Sequence, residues 1–320
     1  LDYQSGLEKR LIDRHRRQIR TIFQQTQSKF LNFSSFDFLN LTQHPYLKER
    51  GISSALLFAS GNHPSRPLGE FLKELQRTEK KFASLLAYES ATLLEPLEGL
   101  FSQILHSFIT PKMQIIQHRH FPYPIHQGNQ TKIFDTGNFT QLQSILSKIN
   151  QEPILFLIES IDSKTGMTED LDAIIEIAIS KNAFLIVDDS NSIQVLGRYG
   201  MGLAHGKEGI DLLIGNFGKK FGSFASYFAS TKALKDLLLK KNPFLYQQMI
   251  LSPFLYGMVD ASLDLIPCMD MERAHILSQA KKLRSLFTTQ GIPPLSSNSH
   301  IMSIPFSSPT NMKAFNLCLT

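Results

Sequence analysis

Three short, continuously apolar runs constrain this chain more than any other feature: Ile154 to Glu159, Ala183 to Asp188 and Asp211 to Gly215, each bounded by polar or glycine-containing turns. Such runs, without polar alternation, describe strands covered on both faces, as in a parallel sheet with helices on either side. Between the first two, Leu171, Ile174, Ile175 and Ala178 fall at helical spacing, with Thr168 the expected N-cap and Glu169 and Asp170 favouring the positive end of the helix dipole. Strand, helix and strand in that order predict a crossover unit. Phe71, Leu75, Phe82 and Leu86 predict another one-sided helix. The alternation of helical and strand-like segments from about residue 68 to 180 points to the α/β class.

With 320 residues, 42% hydrophobic and 19% charged, the chain is expected to be globular rather than disordered. Its apolar runs are far too short to span a bilayer, and Leu1 to Phe23 is too charged for a signal peptide, so the expectation is a cytoplasmic chain with no membrane partner. The two cysteines, Cys268 and Cys318, agree with that compartment. Net charge is +5, but Glu8 to Arg20 alone carries six Lys or Arg against two acids. The remainder is almost neutral, which argues against nucleic acid as a partner. In the basic stretch Leu7, Leu11, Ile19 and Phe23 recur at multiples of four, predicting an amphipathic helix packed on its own chain or on a partner subunit. After Asn242-Pro243 the pattern changes: Ile276, Ala280, Leu283 and Phe287 mark a helix over Met271 to Gln290, stopped by Gly291 and Pro293-Pro294. The expected organisation is an N-terminal helix and arm over 1–50, a large domain over 51–235 and a smaller one over 236–320.

In open parallel sheets, ligands bind beyond the carboxyl ends of strands. Three such ends carry chemistry-bearing residues: Glu159 before Ser163-Lys164-Thr165-Gly166, Asp188-Asp189-Ser190-Asn191-Ser192, and Asn216-Phe217-Gly218-Lys219-Lys220-Phe221-Gly222. A carboxylate closing one strand, a lysine just beyond the next and hydroxyls nearby suit pyridoxal phosphate: the acid stabilises a protonated ring nitrogen and the lysine forms a Schiff base. That amine must be unprotonated, which the neighbouring cation Lys220 favours. Plainer readings stand beside these: a loop lysine for Lys219, a helix cap for Asp188, a turn residue for Ser163. The histidines from His118 to His126 are interrupted by prolines and accompanied by no acidic cluster, so they suit no metal and read mostly as loop residues.

Several segments, in order, resemble the α-oxoamine synthases of the fold-type I pyridoxal phosphate enzymes. Asn32-Phe33-Ser34-Ser35-Phe36-Asp37-Phe38-Leu39 with His44-Pro45 is similar to the family's N-F-S-S-N-D-Y-L…H-P, and Ser60-Gly61-Asn62-His63 to its S-G-N-H. Ile158-Glu159 with Ser163 and Gly166 resembles V-E-G-x-x-S-M-D-G. Val187-Asp188-Asp189-Ser190-Asn191-Ser192 resembles V-D-E-A-H-S, and Asn216 to Gly222 resembles T-F-S-K-A-F-G.

The resemblance implies a three-layer αβα large domain with a mainly parallel sheet and a smaller α+β C-terminal domain. It also implies pyridoxal 5'-phosphate as cofactor, a homodimer, and decarboxylative joining of alanine, glycine or serine to an acyl-CoA thioester, as in the family member that makes 8-amino-7-oxononanoate for biotin. Lys219 would hold the cofactor and act in catalysis, Asp188 would pair with the ring nitrogen, and Ser163 would lie near the ring hydroxyl. Asn191 stands in place of a family histidine, Asn216 of a threonine and Gly218 of a serine. Pro122 occupies the register of the ring-stacking histidine, leaving His118, His120, Tyr123 and His126 as substitutes nearby. Pro96-Leu97-Glu98 replaces the S-G-Y phosphate turn, Leu57 replaces an arginine, and the strand expected to carry a substrate-carboxylate arginine falls beyond the last residue. Two other readings share the fold: a structural or regulatory subunit, and an aminotransferase.

Overall fold

The computed structural model describes residues 36–58, 72–96, 99–123, 125, 131–149, 153–218, 223–242, 245 and 251–313. The N-terminal amphipathic helix of the sequence analysis lies outside them. Seven strands form one sheet: β1 (Ser90–Leu94), β2 (Gln114–His118), β3 (Thr131–Phe134), β4 (Ile154–Glu159), β5 (Phe184–Asp188), β6 (Leu212–Asn216) and β7 (Ser226–Ser230). Their order across the sheet is β1-β7-β6-β5-β4-β2-β3, and only β7 runs against its neighbours. The three apolar runs are thus adjacent central strands, paired in parallel.

Strict alternation of side chains assigns each strand residue to a face. On one face Phe156, Ile158, Leu185, Val187 and Leu213 pack with helices α2 (Leu72–Leu86), α4 (Phe139–Leu146) and α5 (Leu171–Ser180). On the other, Leu155, Leu157, Ile186, Leu212 and Ile214 pack with α3 (Leu100–His106) and α6 (Lys232–Lys241). The result is the three-layer arrangement expected from runs buried on both sides. Leu75, Phe82 and Leu86 of α2 are all buried in the first layer, as their spacing predicts. At Gly215 of β6, an added Cβ would sit 2.3 Å from a ring carbon of Tyr227 on β7, so only glycine lets that buried ring lie flat against the strand.

One helix start differs from expectation. Thr168 does not cap α5: its N–H donates to Asn298 Oδ1 at 3.0 Å and its hydroxyl accepts from Asn298 Nδ2 at 2.7 Å. Asp170 caps instead, accepting from the Ala173 N–H. A contact from far along the chain has taken the hydroxyl that local sequence offered to the helix.

Beyond the sheet, α7 (Pro253–Leu265) lies against α1 (Pro45–Phe58) at glycine-permitted closeness, since a Cβ on Gly257 would meet the Arg50 carbonyl at 2.4 Å. Asp260 on α7 ties the helices together, binding Arg50 at 2.8 Å, Lys81 at 3.2 Å and the Thr78 hydroxyl at 3.0 Å. The last long helix, α8 (Asp270–Thr289), ends where Gly291 takes a left-handed turn, as its sequence indicates.

Candidate active site

Alternation also selects what gathers at the carboxyl edge. Glu159 continues the face of Leu155 and Leu157, Asp188 that of Ile186, and Asn216 that of Leu212 and Ile214, so all three share one side of the sheet. Glu159 and Asp188 are register partners, 1% and 4% exposed. His118, by the same parity, follows Ile116 onto the opposite face.

Asp188 accepts the Ser190 N–H at 2.8 Å, and the Ser190 hydroxyl oxygen accepts the Asn216 N–H at 2.9 Å, fastening the turn after β5 to the end of β6. The Tyr123 phenol reaches this pair, bonding Asp188 and Ser190; burial first, then the Asp188 charge, pushes it far above the usual phenol range. Tyr123 packs against Phe101 and Phe121 on the same layer. Burial, and secondarily Asp188, pushes the Glu159 carboxyl up to about 8. Asp189 points the other way and is fully buried; burial raises it to about 6, against the opposing hydrogen bonds from Ser192 and the Ala204 N–H.

Ser163 is exposed; its N–H donates to Glu159 Oε1 at 3.2 Å and its hydroxyl to the His120 carbonyl at 3.5 Å. His120 binds Asp162 through Nδ1 at 2.9 Å. Burial alone would raise Asp162, but His120 and the N–H groups of Thr165 and Lys164 outweigh it and hold the carboxyl below its ordinary range. Asn191 donates to the Ile161 carbonyl at 3.4 Å. Asn216 accepts the Gly218 N–H on its side chain at 2.6 Å, within a turn where Gly218 has a φ of 48°. Lys219 lies outside the described residues, as do Leu97, Glu98 and His126. The structure thus gathers Asp188, Ser163 and Asn216 around one edge, with His120 joined to Ser163.

His118 corrects the reading of these histidines as loop residues. It closes β2, fully buried, accepts the Glu159 N–H on Nδ1 at 3.1 Å and donates from Nε2 to Glu169 at 2.9 Å. A neutral ring satisfies both neighbours, which is what a buried strand end requires. Two residues escaped assignment from sequence. Tyr123 was one ring among several, and Glu159 was part of a motif without a role. The signal for Glu159 was available: a second acid ends a wholly apolar strand at the same level as Asp188.

The mostly parallel seven-stranded sheet between helical layers, with an acid at the end of a central strand, matches the fold of the fold-type I pyridoxal phosphate transferases, as superposition on solved structures bears out. Among solved structures, serine palmitoyltransferase of Sphingomonas wittichii superposes with a TM-score of 0.77 at 16% identity, covering 86% of this chain and 72% of that one. 8-Amino-7-oxononanoate synthase of Francisella tularensis superposes with a TM-score of 0.74 at 19% identity, covering 91% and 87%. At such identities the likeness is one of fold. The family model for aminotransferase class I and II matches residues 100–319. A protein of Desulfosudis oleivorans, provisionally named 8-amino-7-oxononanoate synthase, is 30% identical over 285 residues, spanning 87% of this chain and 74% of its own length. A Bordetella bronchiseptica protein with the same provisional name is 32% identical over 286 residues, spanning 85% and 71%. The chain belongs to the aminotransferase class I and II family, and within it resembles the α-oxoamine synthases.

Membership implies pyridoxal phosphate, and the buried charge of the edge fits that cofactor. Asp188 and Glu159 stand side by side, buried, on one face of the edge, and no lysine or arginine among the described residues pairs with Glu159. A protonated pyridine beside Asp188 is a cation of the size and position such a pair favours. No helix among the described residues is long and apolar enough to cross a membrane.

Proposed function

We propose that the chain is a pyridoxal phosphate-dependent acyltransferase of the 8-amino-7-oxononanoate synthase type, joining alanine, glycine or serine to an acyl-CoA thioester with loss of carbon dioxide. The observation that carries this reading is Asp188: a buried carboxylate at the carboxyl end of β5, in register with Glu159 and on the same face as Asn216. When bound, the cofactor supplies a sink for negative charge developing at the α-carbon of the amino acid. Asp188 would keep the ring nitrogen protonated. Ser163 and Asn191 would contribute hydrogen bonds beside it, Asn191 without acid function near neutral pH. His120, held by Asp162, would border the ring. Lys219 would hold the cofactor through its amine and, displaced by the substrate amine, take the α-proton. Residues 51–235 would form the cofactor domain and 236–320 the smaller one, in a cytoplasmic homodimer serving biotin synthesis; the relatives' names support that last step.

Absorbance tests the reading directly. Purified protein given pyridoxal phosphate is expected to develop a visible band that Lys219→Ala lacks, and to consume an acyl-CoA in the presence of alanine. An identical spectrum in the variant removes Lys219 from its role, and consumption of a keto acid in place of the thioester replaces the acyltransferase by an aminotransferase.

A further inference from the structure

Glu159 is the acid at this edge that the reading above leaves idle. Its Oε1 receives the Ser163 N–H, whereas Oε2 is buried and meets no hydrogen-bonding partner among the described residues. The groups facing it are Asp188 from β5, Asp162 and Ser163 from its own following turn, and Tyr123 from the segment after β2. Behind its backbone N–H stands the His118–Glu169 pair. An ionised carboxylate is an acceptor only, and an oxygen buried with nothing to accept from disfavours the anion. Burial and the Asp188 charge act the same way, which is why the group titrates near 8. At neutral pH it therefore carries a proton that no described acceptor takes from Oε2.

We propose that Glu159 is a ligand-binding residue of this site, its neutral Oε2 hydroxyl donating a hydrogen bond to an acceptor oxygen of the bound cofactor. The inference rests on the reading of Asp188 as partner of the ring nitrogen, and it divides the labour between two adjacent acids. Asp188, ionised, takes the cationic side of a ligand that carries both charges; Glu159, neutral, takes an anionic oxygen. Neighbouring carboxyl groups pushed to opposite protonation states are the usual way for one site to serve both needs.

The test titrates pyridoxal phosphate into the full chain and its Glu159→Gln, Glu159→Ala and Asp188→Ala variants at about pH 6.5 and about pH 9, and reads affinity by absorbance. Glutamine keeps a neutral donor at both values, and its comparison with wild type cancels the titration of Lys219. The ratio of Glu159→Gln to wild-type affinity is expected to rise by about tenfold between the two pH values, with Glu159→Ala weak at both. A ratio indifferent to pH, or Glu159→Ala binding as wild type does, overturns the proposal. Infrared spectra of the cofactor-free protein give a second readout. The carbonyl stretch of a protonated carboxyl should be stronger in wild type at the lower pH than in Glu159→Gln, where the buried Asp189 still contributes; equal intensity in the two defeats the Glu159 assignment alone. Asp188→Ala binding undiminished, or no uptake by wild type, defeats the cofactor reading instead.

Discussion

Asp260 and Glu159 are two buried acids, 5% and 1% exposed, that end in opposite states. Burial alone would raise both. At Asp260 the Arg50 guanidinium, the Lys81 ammonium and the Thr78 hydroxyl overcome it and hold the carboxyl below its ordinary range. At Glu159 burial is joined by the charge of another acid, Asp188, and the carboxyl rises to about 8. Depth in the protein therefore says little about what a carboxyl does; its neighbours decide. The compensated acid fastens α7 to α1 and α2, and the uncompensated one marks a place where a ligand can supply what the protein withholds.

The most forceful way to break the contrast is Asp260→Ala. Removing it leaves the half-buried Arg50 guanidinium without its carboxylate and Lys81 with Asp264, and a loss of about 2–3 kcal/mol is expected in urea unfolding. Because the folded carboxyl sits below its unfolded value of 3.8, its contribution is present above that value and fades as pH falls through the folded one. A loss under about 1 kcal/mol would show the helix pair to be held by packing alone.

Glu159→Gln should do the reverse and stabilise the cofactor-free protein. Its folded carboxyl titrates at about 8 and its unfolded one at 4.5, so between those values the folded state binds more protons and stability falls as pH rises. The variant removes that penalty. It is expected to exceed wild type by roughly 1–3 kcal/mol at about pH 8 and to match it at about pH 4, measured by thermal unfolding across pH. Equal stability at both ends would mean that Glu159 is ionised in the folded chain.

The sheet was legible because burial on both faces leaves an apolar signature inside each strand: the run Ile154 to Glu159 coincides with β4 residue for residue. Asp188 was legible because strand ends are where open sheets present their chemistry. What the sequence hid are the relations between segments. Thr168 reads as a cap until Asn298, 130 residues away, takes its hydroxyl. His118 reads as a loop residue until Glu169 and the Glu159 N–H close around it. The lack of a counter-charge at Glu159 among the described residues belongs to the same class, since only the assembled edge shows it. β7 gave little warning as well: Ser226-Tyr227-Phe228-Ala229-Ser230 buries serines at both ends, with the Ser230 hydroxyl turned onto the Thr231 carbonyl.

Asp162 lies between the two extremes and sharpens the comparison most finely. Its compensation comes from one imidazole and two backbone N–H groups rather than from fixed cations, so its hold is real but smaller. Asp162→Asn keeps an acceptor for the backbone donors on Oδ1 and alters the Oδ2 bonds, to His120 and to the Thr136 hydroxyl. A stability loss of about 1 kcal/mol is expected above the unfolded carboxyl value of 3.8, vanishing as pH falls through the lower folded value. The same substitution frees the His120 ring to turn. If Asp162 fixes that ring for a role at the site, the nitrogen chemical shifts of His120 should move and pyridoxal phosphate affinity should fall by a few fold. If stability drops while shifts and affinity stay put, Asp162 serves the turn after β4 alone, and charge compensation by dipoles at this edge is structural, as it is by cations at Asp260.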